Sequence, residues 1–319
     1  MKKRWGVNMM RALLICCFSC LATHLQGPSV SAGEATVRFL TTDPRAVDYW
    51  PSFSPDGKIV LFSRSLDGKK TWELFVVPTS EGDAHRFVGS PLPVSATRAS
   101  WSVRSNLIAF TGTSSDGRSS VWIINADGTS PRQIAATGLS DRVLYPSWYP
   151  NGDQLAVLDA RDQVIKRIDL TLGVAVTVTD HQQVLTGMPS VSPDGKWIAF
   201  AGQRNIGQPY DQTKNSIWLV SDVGALRTVE PAPAQGRTPN WSPDGQWLAF
   251  ESNRGSSDQS YAAFIIGRDG AGLRQITGYE LDANHPVWSP DGARLAVSGR
   301  YRKGQDITGI AIIDVARKQ

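Results

Sequence analysis

Cysteine is almost missing from this 319-residue chain. The three present, Cys16, Cys17 and Cys20, lie within five positions of one another near the start. The rest of the chain therefore offers no disulfide and no thiolate metal site. Histidine is nearly as scarce, with four in all: His24, His85, His181 and His285. No His-x-x-x-His or His-Glu-x-x-His spacing occurs, which removes the usual zinc arrangements. No Gly-x-Ser-x-Gly elbow is present and no space remains for an α/β-hydrolase domain. A phosphate loop is missing too. Asp and Gly are plentiful, but no run sets alternating Asp/Asn ligands before a Glu, so hairpin turns account for them better than calcium loops do. Neither a cofactor nor a metal is expected.

An excess of one charge is also lacking. The chain has 33 Lys+Arg and 29 Asp+Glu, and four of the basic residues (Lys2, Lys3, Arg4, Arg11) sit in residues 1–32, where there is no acidic residue. The remaining residues thus carry 29 of each sign, so the pI near 9.0 owes much to the start of the chain. No later Lys/Arg cluster is long enough to follow phosphates, and no nucleic-acid partner is expected. The basic start leads into an apolar run, Ala12 to Ala22, and then to Val30-Ser31-Ala32. That order reads as a secretory signal peptide over residues 1–32, with the propeller described below over 33–319. The run is short for a bilayer span, so no transmembrane segment is expected once the leader is removed. An uncleaved anchor is the alternative. Lipidation of Cys20 through Cys17-Phe18-Ser19-Cys20 is disfavoured by the bulky Phe18. The expected location is periplasmic or secreted.

What the chain does have is a repeat. Ser-Pro-Asp-Gly occurs at Ser54, Ser192, Ser242 and Ser289, and worn copies start at Ser102 and Tyr149. The steps between copies are 48, 47, 43, 50 and 47 residues. Such a period marks a circular or stacked array of small sheets. Most copies follow a Pro-x-aromatic strand, such as Pro51–Phe53 or Pro239–Trp241, with Pro189–Val191 a weaker case. Proline and glycine then suit a tight hairpin. A short apolar second strand follows (Ile59–Phe62, Trp247–Phe250), then a polar loop and an apolar third strand (Leu74–Val77, Ala263–Ile266). A more polar fourth strand, as at Arg274–Thr277, suits an exposed edge. Six such units predict an all-β fold, a six-bladed β-propeller of four-stranded blades. The last unit lacks a fourth strand, while Ala35–Thr41 is a spare strand ahead of the first. The N-terminal strand is therefore expected to complete the last blade and close the ring. Trp101, Trp148, Trp241 and Trp288 recur at one motif position, as core residues between blades or, failing that, a stacking platform.

Pro239-Asn240-Trp241-Ser242-Pro243-Asp244-Gly245 and Pro286-Val287-Trp288-Ser289-Pro290-Asp291-Gly292, with the Ala-Phe or Ala-Val that follows each, resemble the TolB-type propeller repeat. The likeness runs from Ala35 to about Asp314 and concerns the propeller alone, without the α/β domain that precedes it in TolB. It implies an exported or periplasmic propeller that binds a protein partner, as in the Tol–Pal envelope system. It does not by itself set the activity.

The second-to-third loops and the blade-to-blade connections share one face of such a propeller. There an Arg follows the second strand in five blades: Arg64, Arg161, Arg204, Arg254 and Arg300. Polar and aromatic residues precede the inner strands. The candidate binding set is Asp48, Tyr49, Arg98, Arg142, Tyr145, Arg237, Arg254, His285 and Arg300, since loops on a rigid scaffold are where sites are found. Solvated loop charge, neutralised by Asp67, Asp159, Asp162 or Asp258, is the plainer account. The functional expectation is a non-enzymatic, monomeric protein-binding module. The alternatives are a glycan or small-ligand binder, or a lyase or hydrolase with His285 near Asp48, Arg98 or Arg237 at the channel mouth.

Overall fold

Ser-Pro-Asp-Gly folds as one hydrogen-bonded device. In the first copy Ser54 Oγ donates to Asp56 Oδ1 at 2.7 Å and accepts from the Ile59 N–H at 3.2 Å. The Gly57 N–H donates back to the Ser54 carbonyl at 2.8 Å. Gly57 takes φ 69°, which only glycine adopts without strain. Ser192, Ser242 and Ser289 donate to Asp194, Asp244 and Asp291 in the same way. The motif thus turns the inner strand of each blade into the second with a fixed register.

The computed structural model describes residues 36–88, 92, 94–231, 235–301 and 307–315. The expected leader, its cleavage point and Cys20 lie outside the described residues. Among those residues there are six antiparallel four-stranded sheets. The inner strands are Ala46–Phe53, Ser95–Trp101, Val143–Trp148, Val184–Val191, Gly236–Trp241 and Asn284–Trp288. The second strands run from Ile59–Leu66 in the first blade to Arg294–Arg300 in the sixth, and the third from Glu73–Pro78 to Thr308–Asp314. Outer strands are short, two to four residues, as at His85–Arg86 and Val174–Thr177. None of the described helices is long and apolar enough to cross a membrane.

Ring closure follows the expected route. Val37, Arg38 and Phe39 pair with Ile313, Ile312 and Ala311, making the fourth strand of the sixth blade. The Arg38 guanidinium then reaches the Thr79 and Ser80 carbonyls of the first blade. Packing completes the circle. Six apolar clusters are shared between neighbouring blades, and one joins Phe53, Val60 and Phe62 of blade one to Ala296, Ile310 and Ile312 of blade six. Trp148, Trp241 and Trp288 are buried in these seams. Trp148 Nε1 donates to the Ser100 carbonyl of the preceding blade, and Trp241 Nε1 to that of Ser190. Burying a ring of this size contributes on the order of 2–3 kcal/mol per residue.

The inner strands differ from expectation in one respect. They begin several residues before the Pro-x-aromatic signature, and each carries a register shift, as between Tyr49 and Ser52 or Arg237 and Asn240. At each shift one non-glycine residue takes positive φ: Trp50, Arg98, Tyr145, Met188, Thr238 and His285, at 48–59°. This is a β-bulge repeated six times, and bulges re-aim a side chain.

Candidate binding site at the channel mouth

The six bulge residues line one cavity, of about 140 Å³, in the central channel. Five of the six precede a proline, a position normally pushed to extended backbone. A left-handed conformation there costs on the order of 1–3 kcal/mol and persists only where the surroundings impose it. The bulge turns these side chains inward on the loop side. A second cavity, of about 380 Å³, opens at the Ser-Pro-Asp-Gly end and is walled by Ser52, Ser100, Ser147 and Ser190 with the motif prolines.

Three of the bulge residues, Arg98, Tyr145 and His285, were in the sequence-derived set. The Arg98 guanidinium carbon lies 4.3 Å from the Tyr145 ring centre and 5.1 Å from that of Trp50. Trp50 Nε1 donates to His285 Nε2 at 2.9 Å, which places the His285 proton on Nδ1. Burial, with the nearby Arg98 and Arg237 charges, lowers the His285 pKa to about 3, so the ring is neutral. Its backbone N–H donates to Glu251 Oε2 at 2.5 Å. Tyr49 packs edge-on to His285 and Trp72 beside this cluster.

The other candidates are placed differently. Asp48 is buried and accepts two guanidinium hydrogen bonds of 2.7 Å from Arg64 and one of 2.6 Å from Thr41. Burial nonetheless raises its pKa. Arg237 forks onto buried Glu251 at 2.7 and 3.0 Å and lies over the Tyr261 ring. Arg254 pairs with buried Glu230, which also accepts from the Ile217 and Gly236 N–H groups. Arg300 pairs with Asp282 at 2.8 Å, and Arg142 is exposed at the edge of this face. Asp48, Arg237, Arg254 and Arg300 therefore hold strands together. The partners differ from those anticipated. Arg64 meets Asp48, Arg161 meets Asp141, and Asp159 is taken by Lys166.

Trp50, Met188 and Thr238 were missed. Their signal was in the sequence: each immediately precedes the proline of an inner strand, as Tyr145 and His285 do. In the long loop after the fourth blade's second strand, the Tyr210 hydroxyl accepts from Asn215 Nδ2 at 2.9 Å and sits against Gly187, beside Met188. Among the described residues no group of three His, Cys, Asp or Glu is placed to hold a metal ion.

A closed six-bladed propeller with a polar and aromatic channel mouth defines the class. The chain belongs to the TolB beta propeller domain family, matched over residues 34–227. An uncharacterized protein of Agrobacterium fabrum (strain C58) is 27% identical over 167 residues, 48% of this chain and 50% of that protein. The chain thus spans about half the length of that curated relative. Among solved structures, a TolB-designated protein from Agrobacterium tumefaciens superposes with TM-score 0.65 at 19% identity, covering 89% of this chain and all of that one. TolB from Acinetobacter baumannii gives 0.64 at 18% identity, over 78% of this chain and 58% of that one. An oligogalacturonate lyase from Vibrio parahaemolyticus gives 0.56 at 14% identity, over 90% and 95%. At these identities the likeness is one of fold.

Proposed function

We propose that this protein is an exported, envelope-associated propeller that binds a protein partner at the loop-side mouth of its channel, without catalysing a reaction. The observation that carries this reading is the hexad of bulge residues. Trp, Tyr and Arg, the residue types that anchor protein interfaces, sit together there on a strained and therefore fixed backbone. The groups that acid–base catalysis would use are otherwise engaged. Glu251 is held by Arg237, Asp48 by Arg64, and the acceptor nitrogen of His285 by Trp50. The leader pattern and the family support the envelope location within this reading.

Removing Arg237 or Arg254 would test folding rather than binding, because each neutralises a buried carboxylate. A photo-crosslinking residue at exposed Arg142, on the loop side, is a cleaner probe. Exposed Lys58 and Lys196, beside the Ser-Pro-Asp-Gly turns, serve as controls. Illumination in the native host should give a discrete protein adduct from position 142 and little from 58 or 196. Equal adducts from both faces, or none from 142, would overturn the reading.

A further inference from the structure

We propose that the loop-side mouth of the channel is a receptor for one carboxylate, anchored by Arg98. This rests on the reading of that mouth as a binding surface and names the chemistry that enters it. Arg64, Lys166, Arg237, Arg254 and Arg300, the more buried cations of this face, each have a carboxylate within 4.0 Å. Arg98 is different. Among the described residues no carboxylate lies within that distance of its guanidinium, which lies instead over the Tyr145 and Trp50 rings.

Stacking sharpens the point. Trp50 and Tyr145 cover the guanidinium face, and an arginine's five N–H donors lie in the plane of the group, at its edge. That edge is what a carboxylate meets with two parallel hydrogen bonds. Burial already works against the Arg98 charge, so an incoming anion would relieve an unfavourable state. The local charge also counts the ligand. Arg237 is offset by Glu251, and His285 is neutral. One positive charge is left over, which suits a monoanion better than a phosphate dianion. The cavity of about 140 Å³ holds about four or five water-sized groups at ~30 Å³ each, enough for a carboxylate on a short stem.

The carboxylate could come from an Asp or Glu of a protein partner or from a free small acid. Tryptophan fluorescence reads both, because Trp50 lies against the guanidinium. The purified chain would be titrated with propionate, with propionamide as the uncharged shape-mate, and with N-acetylglutamate α-amide as the protein-like acid. Saturable responses to the carboxylates but not to propionamide are expected. Arg98→Gln should weaken them tenfold or more, and Arg98→Lys should keep part of the response. Tighter binding of the glutamate derivative assigns the site to a protein side chain, and tighter binding of propionate to a free acid. No saturable response in the wild type, or equal binding by Arg98→Gln, would overturn the proposal. If Arg98→Gln does not fold, the contrast between propionate and propionamide decides. A crosslinked partner without carboxylate binding would sink this inference alone. Carboxylate binding without a crosslinked partner would sink the protein-binding reading alone.

Discussion

Thr41→Val should loosen the ring at its seam. The Thr41 hydroxyl donates to Asp48 Oδ2 at 2.6 Å, on the inner strand of blade one, and accepts from the Ile310 N–H at 2.8 Å, on the third strand of blade six. Thr308 Oγ1 adds a 2.9 Å bond to the Asp48 carbonyl. Asp48 is 1% exposed and Ile310 is fully buried, so water cannot replace what is removed. Valine keeps the shape and deletes the hydroxyl. A hydrogen bond to a charged group is worth about 1.5–3 kcal/mol, and a stranded buried N–H costs about 1–3 kcal/mol. Because the two share one atom they will not add fully, and a loss of about 3–4 kcal/mol is expected.

Urea unfolding measures this directly, with Thr41→Ser as the control that keeps the hydroxyl. Amide exchange at Ile310–Ile313 should quicken in Thr41→Val before the rest of the molecule responds, since those residues hold the N-terminal strand. A double-mutant cycle with Asp48→Asn should give a coupling of about 0.5–3 kcal/mol. Asp48→Asn alone should cost about 3–5 kcal/mol by leaving the Arg64 charge buried and unpaired. Stability of Thr41→Val within about 0.5 kcal/mol of wild type, with unchanged exchange at Ile310–Ile313, would refute the idea that this hydroxyl latches the ring.

Gly309→Ala should be at least as damaging, because a Cβ there would collide with the Thr41 carbonyl oxygen; a variant melting with the wild type would contradict that close approach. Trp241→Ala should lose about 3–5 kcal/mol through a cavity between blades four and five, read as a shift in urea midpoint. Trp241→Phe should lose less while stranding the Ser190 carbonyl. His285 gives a pH dependence. Its folded pKa of about 3 lies below the ordinary value of 6.5, so its contribution is complete above pH 6.5 and fades as the pH falls towards 3. Between pH 7 and pH 5 that is about 2 kcal/mol at ~1.4 kcal/mol per unit, and His285→Asn should flatten the urea midpoint across that window by the same amount.

The repeat exposed the fold because every part of the hairpin device is written in adjacent letters. Ser54, Asp56 and Gly57 contact one another within four residues, so the turn is legible locally. Ring closure was legible for a related reason: the spare strand at Val37 and the missing one after Asp314 complement each other by counting. The ion pairs were not legible. Arg254 meets Glu230 across 24 residues and Arg300 meets Asp282 across 18, and choosing among the many acids of the loops needs the three-dimensional path. The bulge was hidden as well. Proline ordinarily asks the preceding residue for extended backbone, and local preference pointed away from the left-handed turn that the ring imposes.

That hidden bulge separates scaffold from specificity. The serine and the asparagine two positions on from Tyr145 and Thr238, Ser147 and Asn240, accept backbone N–H groups from the next blade, so their chemistry is spent on assembly. The bulge residues have no such duty in common. They share a backbone conformation and a direction, yet they are Trp, Arg, Tyr, Met, Thr and His. A closed ring of six similar blades would, with identical side chains, give a sixfold symmetric mouth that could orient nothing. Six different side chains on one repeated backbone make the mouth asymmetric and singly charged. Specificity can thus change at these positions with little effect on the apolar seams, which draw mainly on the second and third strands of each blade.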